Sequence, residues 1–173
     1  MQEVKLIIGG DLVPTDSNKK LFVAGNVREL LGDELLSVLN KASCRVFNLE
    51  VPLTDNVTPI DKCGPNLIAP TETVNGIQKI GADVLCLANN HIFDQGESGL
   101  KSTINTLKNK GIRFLGIGDN LTDACKPVVV ILNNKKVGFY ACAEHEFTIA
   151  DDNEPGANPF DPLESIDHII KLK

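Results

Sequence analysis

Long apolar runs, basic clusters and paired cysteine motifs are all missing from this 173-residue chain. No stretch approaches the roughly 18 apolar residues that a spanning helix needs, so no transmembrane segment is expected. Lysine and arginine never form a run, and 17 basic against 23 acidic residues leave a net charge of −6. That balance speaks against a nucleic-acid binder, which is usually basic, and offers nothing to an anionic membrane surface. There is no C-x-x-C, and five cysteines is an odd number. Neither a disulfide framework nor a zinc ribbon is therefore indicated. No G-x-S-x-G elbow is present, which disfavours a serine hydrolase. Gly116-Ile117-Gly118-Asp119-Asn120 lacks the third glycine and the lysine of phosphate-cradling loops, and reads better as a tight turn with Asp119 or Asn120 capping a short helix. The opening MQEVKLIIGGD has no basic segment and no cleavage site, so no signal peptide is expected. Cys44, Cys86 and Cys142 sit in apolar β-like runs as small hydrophobes. Reduced thiols and a cytoplasmic location are the corresponding expectation.

What is present is ordinary globular composition: 42% hydrophobic and 23% charged. The length predicts one domain over residues 1–173. Val4 to Ile8 reads as a strand, which Gly9-Gly10-Asp11 should break into a loop. Asp33 to Ala42 reads as a helix, Cys44 to Phe47 as a strand, and the proline-rich stretch from Val51 to Pro70 as a long loop, often a functional feature. A helix over Thr73 to Ile80 stops at Gly81, and a strand follows over Asp83 to Leu87. A helix over Glu97 to Lys110 stops at Gly111, followed by a strand over Ile112 to Leu115. Val128 to Leu132 and Lys136 to Cys142 flank Asn133-Asn134, a hairpin signal. Residues 151–162 read as loop, and Pro162 to Leu172 as a last helix. The alternation of strand and helix implies an α/β fold with a mostly parallel sheet.

Three strands end in metal-capable groups: Gly10-Asp11, Asn48-Leu49-Glu50, and Asn89-Asn90-His91 with Asp94 beyond. Ligands of open α/β sheets bind outside the carboxyl ends of the strands, so these groups are expected to converge. A mixed oxygen and nitrogen set suits Mn²⁺, Fe²⁺ or Zn²⁺. With two metals it could activate water and clamp a phosphoester. Each residue also has an ordinary reading. Asp11 can be a turn residue or helix cap, Glu50 a solvated loop acid, Asn89-Asn90-His91 a turn bonded to its own backbone, and Asp94-Gln95-Gly96 the N-terminal cap region of the following helix. His145 can line the site or be a structural histidine, and His168 reads as surface.

Gly10-Asp11, Asn48-Leu49-Glu50-Val51-Pro52-Leu53-Thr54, and Leu87-Ala88-Asn89-Asn90-His91 with Asp94-Gln95-Gly96 and Gly99-Leu100 together resemble the CapA family of poly-γ-glutamate and capsule-biosynthesis proteins. The likeness runs from about Lys5 to Pro162. It implies a metallophosphatase-like layered α/β/β/α sandwich. Carried over to this chain, it makes Asp11, Glu50, Asn90 and His91 the metal ligands. Asn48, Asn89 and Asp94 would orient them, with His91 and Asp94 the groups on which catalysis would depend. The implied function is capsule or poly-γ-glutamate biosynthesis, either as a metal-dependent hydrolase of a phosphoester or acidic polymer, or as a non-catalytic accessory that binds the polymer. Two departures stand out. Val13 occupies the position of the histidine in the Asp-x-His that opens metallophosphatases. Family members are also longer, with further histidine-containing motifs, so the chain reads as an N-terminal portion incomplete at its C-terminus. Such a portion would hold one metal weakly, and would expose a sheet edge through which copies associate.

Overall fold

The computed structural model describes residues 3–145 and 148–172. Strand β1 (Leu6–Leu12) leads through helices α1 (Lys19–Ala24) and α2 (Val27–Asn40) to β2 (Cys44–Leu49). After the long loop, a 3₁₀ turn (Thr71–Thr73) runs into α3 (Val74–Ile80), β3 (Val84–Cys86), α4 (Gly96–Asn109) and β4 (Arg113–Leu115). These four strands form one sheet in the order β1-β2-β3-β4, every pair parallel. Beyond it come β5 (Ile117–Gly118), α5 (Leu121–Ala124), the hairpin β6 (Val128–Leu132) and β7 (Lys135–Phe139), β8 (Gly156–Ala157) and α6 (Glu164–Ile170).

Strand alternation divides the apolar residues into two cores. Phe47, Leu49 and Leu85 face Phe22, Leu39, Ile77, Leu100, Ile104 and Leu107 of the helices. Cys44, Val46, Val84 and Leu115 face the other way, onto Val130 and Leu132 of the hairpin. Leu172, just past α6, lies against Gly138 on the hairpin's outer side, and His168 stacks on Tyr140 with centroids 5.8 Å apart. The order is helices, parallel sheet, hairpin, helix, as an α/β/β/α sandwich requires. Asn133 and Asn134 both have positive φ (48° and 64°), the conformation a tight hairpin turn demands.

One local expectation is corrected, and two helical segments are added. Gly9-Gly10-Asp11 does not end β1. The strand bulges there, its register moving from Ile8↔Val46 to Asp11↔Asn48. Glycine is needed because a Cβ on Gly9 would stand 2.4 Å from the Phe47 ring. α2 begins at Val27 but is broken at non-helical Gly32 (φ 75°, ψ 163°), so its second part opens at Asp33 as expected and its first part is an addition. α1 has no helical period visible in the sequence. It is held because Phe22 is buried against α3, where a Cβ on Gly76 would come within 2.6 Å of the Phe22 backbone. Asn120 caps α5 as expected, accepting from the Asp123 amide at 3.0 Å.

Candidate functional site

The bulge in β1 has a direct consequence for chemistry. It sets Asp11 beside Asn48 at the carboxyl end of the sheet, on the face turned to the hairpin. Asn48 then becomes a node between three strands. Its Nδ2 donates to Asp11 Oδ1 at 2.9 Å and to Glu50 Oε2. Its Oδ1 accepts from Asn89 Nδ2 at 3.0 Å, and Asn89 Nδ2 also donates to the Leu49 carbonyl at 2.9 Å. Asn89 Oδ1 in turn accepts from the backbone amides of His91 and Ile92, at 3.0 and 2.9 Å. Asn89 thus shapes its own turn and also joins the cluster.

Behind the turn, Asp94 is fully buried. Asp94-Gln95-Gly96 does form the cap region of α4, with Gln95 at the N-cap position, but the Asp94 carboxylate is turned to other partners. Its Oδ2 lies 2.7 Å from His91 Nδ1 and accepts from the Leu67 amide at 2.6 Å, while its Oδ1 pairs with Lys62 Nζ. Lys62 Nζ also stands 3.3 Å from His91 Nδ1. Two lone pairs would repel at 2.7 Å, so Nδ1 carries a hydrogen and donates to Asp94; in the neutral ring this tautomer leaves the lone pair on Nε2. Metal-binding and general-base histidines are commonly oriented by a carboxylate in this way.

Burial, and then the charge of Asp11, raise the Glu50 carboxyl above its ordinary range, while donation from Asn48 and the nearby His91 pull the other way. Asp11 is exposed and Glu50 half-buried. Asn90 lines a groove of about 190 Å³ with Asn89, Ala143 and Glu144. His145 is exposed, near Asp161. His168 is half-buried against Tyr140 rather than fully at the surface.

The structure therefore brings together Asp11, Asn48, Glu50, Asn89, His91 and Asp94, with Asn90 beside them. As donor types they suit a divalent cation. As assembled they do not close a shell. Among the described residues, no three His, Cys, Asp or Glu side chains stand close enough together to hold an ion. The carboxylates of Asp11 and Glu50 converge on the amide of Asn48. Sequence reasoning marked the loop from Val51 to Pro70 but missed Lys62 within it, because a lysine in a proline-rich loop carries no periodic signal.

Fold and site together define a metallophosphatase-like α/β sandwich with a polar cluster at the ends of its parallel strands. The family model of bacterial capsule synthesis protein PGA_cap matches residues 5–168, and the chain belongs to that family. It is 33% identical over 110 residues to the capsule biosynthesis protein CapA of Bacillus anthracis, covering 62% of this chain and 27% of that protein. It is 32% identical over 135 residues to the PGA biosynthesis protein CapA of Bacillus subtilis (strain 168), covering 73% and 34%. A probable polyglutamine synthesis accessory protein of Mycobacterium tuberculosis is 30% identical over 105 residues, covering 60% and 28%. The chain thus spans about a quarter to a third of the length of these curated relatives. Among the described residues no helix is long and apolar enough to cross a membrane.

Proposed function

We propose that this chain serves the production of an acidic, glutamate-type capsule polymer as an accessory protein, and that the strand-end cluster is where it engages its ligand. The observation that carries this reading is the Asn48 node, which gathers polar groups from three strand ends on one face of the sheet. Family membership supplies the class of polymer. Charge sets a condition on the ligand. Asp11 and Glu50 repel a polycarboxylate, so polymer binding at this site calls for a bridging cation. The residues that would hold one are Asp11, Glu50, Asn90 and His91, after the Asn48 amide yields to it. A bound divalent ion would supply positive charge and Lewis acidity. The five unpaired cysteines favour a reducing compartment, so the cytoplasm is the proposed location.

Titration of the purified chain with Mn²⁺ and Zn²⁺, and then poly-γ-glutamate binding with and without Mn²⁺, tests this reading. Expected are stoichiometric metal and metal-dependent polymer binding, both lost in an Asp11→Ala/His91→Ala variant. Polymer binding indifferent to metal and to that variant would remove the cluster from the function. A hydrolase reading is favoured by one feature, the His91 ring oriented through Nδ1 by Asp94. Mn²⁺-dependent turnover of a generic phosphodiester, abolished by His91→Ala, would establish it.

A further inference from the structure

Lys62 comes from the long segment between β2 and the 3₁₀ turn, and its side chain is only 4% exposed. The segment is strapped to the start of α4. Ile60 donates to the Asp94 carbonyl at 3.1 Å, and Thr58 donates through its amide to Gln95 Oε1 at 2.8 Å and through its hydroxyl to the Gln95 carbonyl at 2.7 Å. Gln95 Nε2 returns a bond to the Leu67 carbonyl at 3.0 Å. Leu67 itself donates to Asp94 Oδ2, so the strap reaches the same carboxylate as His91.

We propose that Lys62 is a positioning residue: by holding Asp94 Oδ1 it keeps Oδ2 turned to His91 Nδ1, and so decides that Nε2 is the ring nitrogen left for a ligand. This rests on the reading of His91 as a working residue of the strand-end site. An ammonium has three donors and no acceptor, so Lys62 cannot take the Nδ1 hydrogen itself and leaves Asp94 as its acceptor. Anchored at Oδ1 by Lys62 and at Oδ2 by the Leu67 amide, the buried carboxylate has no freedom to turn. Without Lys62, Oδ1 loses its ionic partner, and the carboxyl group and the imidazole can reorient together. The strap around Lys62 thereby acts on the cluster through Asp94.

The test uses the full chain, free of metal, with ¹⁵N-labelled histidine. Long-range ¹H–¹⁵N correlation spectra identify which nitrogen of His91 is protonated in the wild type, Lys62→Met and Lys62→Arg. His91 is assigned by its loss in His91→Gln. The wild type and Lys62→Arg should show the Nδ1–H tautomer. Lys62→Met should show a mixture of the two tautomers, and its affinity for Mn²⁺ should fall about 10- to 100-fold, the usual cost of losing an orienting partner. A merely structural ion pair would lower thermal stability and leave the tautomer unchanged. An Nε2–H tautomer in the wild type overturns the proposal, even if Lys62→Met fails to fold. A wild-type signature in folded Lys62→Met overturns it as well. Tautomer change without any Mn²⁺ binding by the wild type would leave the positioning role standing and defeat the metal reading. Mn²⁺ binding with an unmoved tautomer would do the reverse.

Discussion

Lys62 and Asp94 form a buried ion pair, and removing one partner should expose its energetics. The two side chains are 4% and 0% exposed. Asp94→Asn removes the negative charge with little change of shape, so the buried Lys62 ammonium loses its ion pair with Asp94. Breaking a buried pair in this way costs about 3–5 kcal/mol. For a chain of this size each kcal/mol moves Tm by roughly 2–4 °C, so a fall of about 6–20 °C is expected. Lys62→Met strands the opposite charge, partly compensated by the Leu67 amide and His91, and belongs at the lower end of that range. The double variant Asp94→Asn/Lys62→Met removes both charges at once. A buried pair replaced by neutral groups is often close to neutral in stability, so the double variant should be more stable than the sum of the single losses by about 2 kcal/mol or more. The assay is urea unfolding of all four proteins at pH 7, read as a double-mutant cycle. Single losses under about 1 kcal/mol, as for surface pairs, or losses that add to within about 0.5 kcal/mol, would refute the coupling.

Three further outcomes are expected. Because burial and Asp11 raise Glu50 above its ordinary 4.5, the folded chain holds that proton more tightly than the unfolded chain. The resulting stability is present at low pH and lost as pH rises through the raised folded value. Glu50→Gln should therefore raise Tm at pH 7 and have little effect near pH 4, and an equal shift in calorimetry at both pH values would contradict this. Gly9→Ala forces a Cβ into the Phe47 ring and should cost about 1–3 kcal/mol in urea unfolding, whereas Gly10→Ala, with open space at its Cβ, should cost less. The outer edge of β1 has no neighbouring strand among the described residues, and Ile8 is 73% exposed there. Concentration-dependent association is expected in light scattering and should be reduced by Ile8→Lys; a wild type that stays monomeric at high concentration would rule out this edge as an association surface.

Much of the frame was legible because local chemistry reports local geometry. Gly81 takes a left-handed φ just past the end of α3, and Gly111 takes one just past Lys110, the C-cap of α4; both are where the helical periods stop. Asn133-Asn134 marks the hairpin because asparagine tolerates the positive φ that the turn requires. The motif around Asn89, Asn90 and His91 could be placed at a strand end from the apolar run before it. The errors share one cause. Gly9-Gly10 has the composition of a strand break, yet pairing with β2 carries the chain through as a bulge, because the Phe47 ring fills the space that a side chain at Gly9 would need. α1 depends on contacts with α3, and a six-residue segment is too short to show a period of its own.

The sequence by itself determined the kinds of element, their order, and the set of polar residues at the strand ends, since periodicity and turn chemistry act over a few residues. Only the tertiary structure decided which of those residues touch. Asp11 meets Asn48 because of a bulge, and Lys62 meets Asp94 across 32 positions of chain because the strap folds back on α4. Contacts of that kind depend on loop closure and on the shape of a packed interior, and neither leaves a local mark in the order of amino acids.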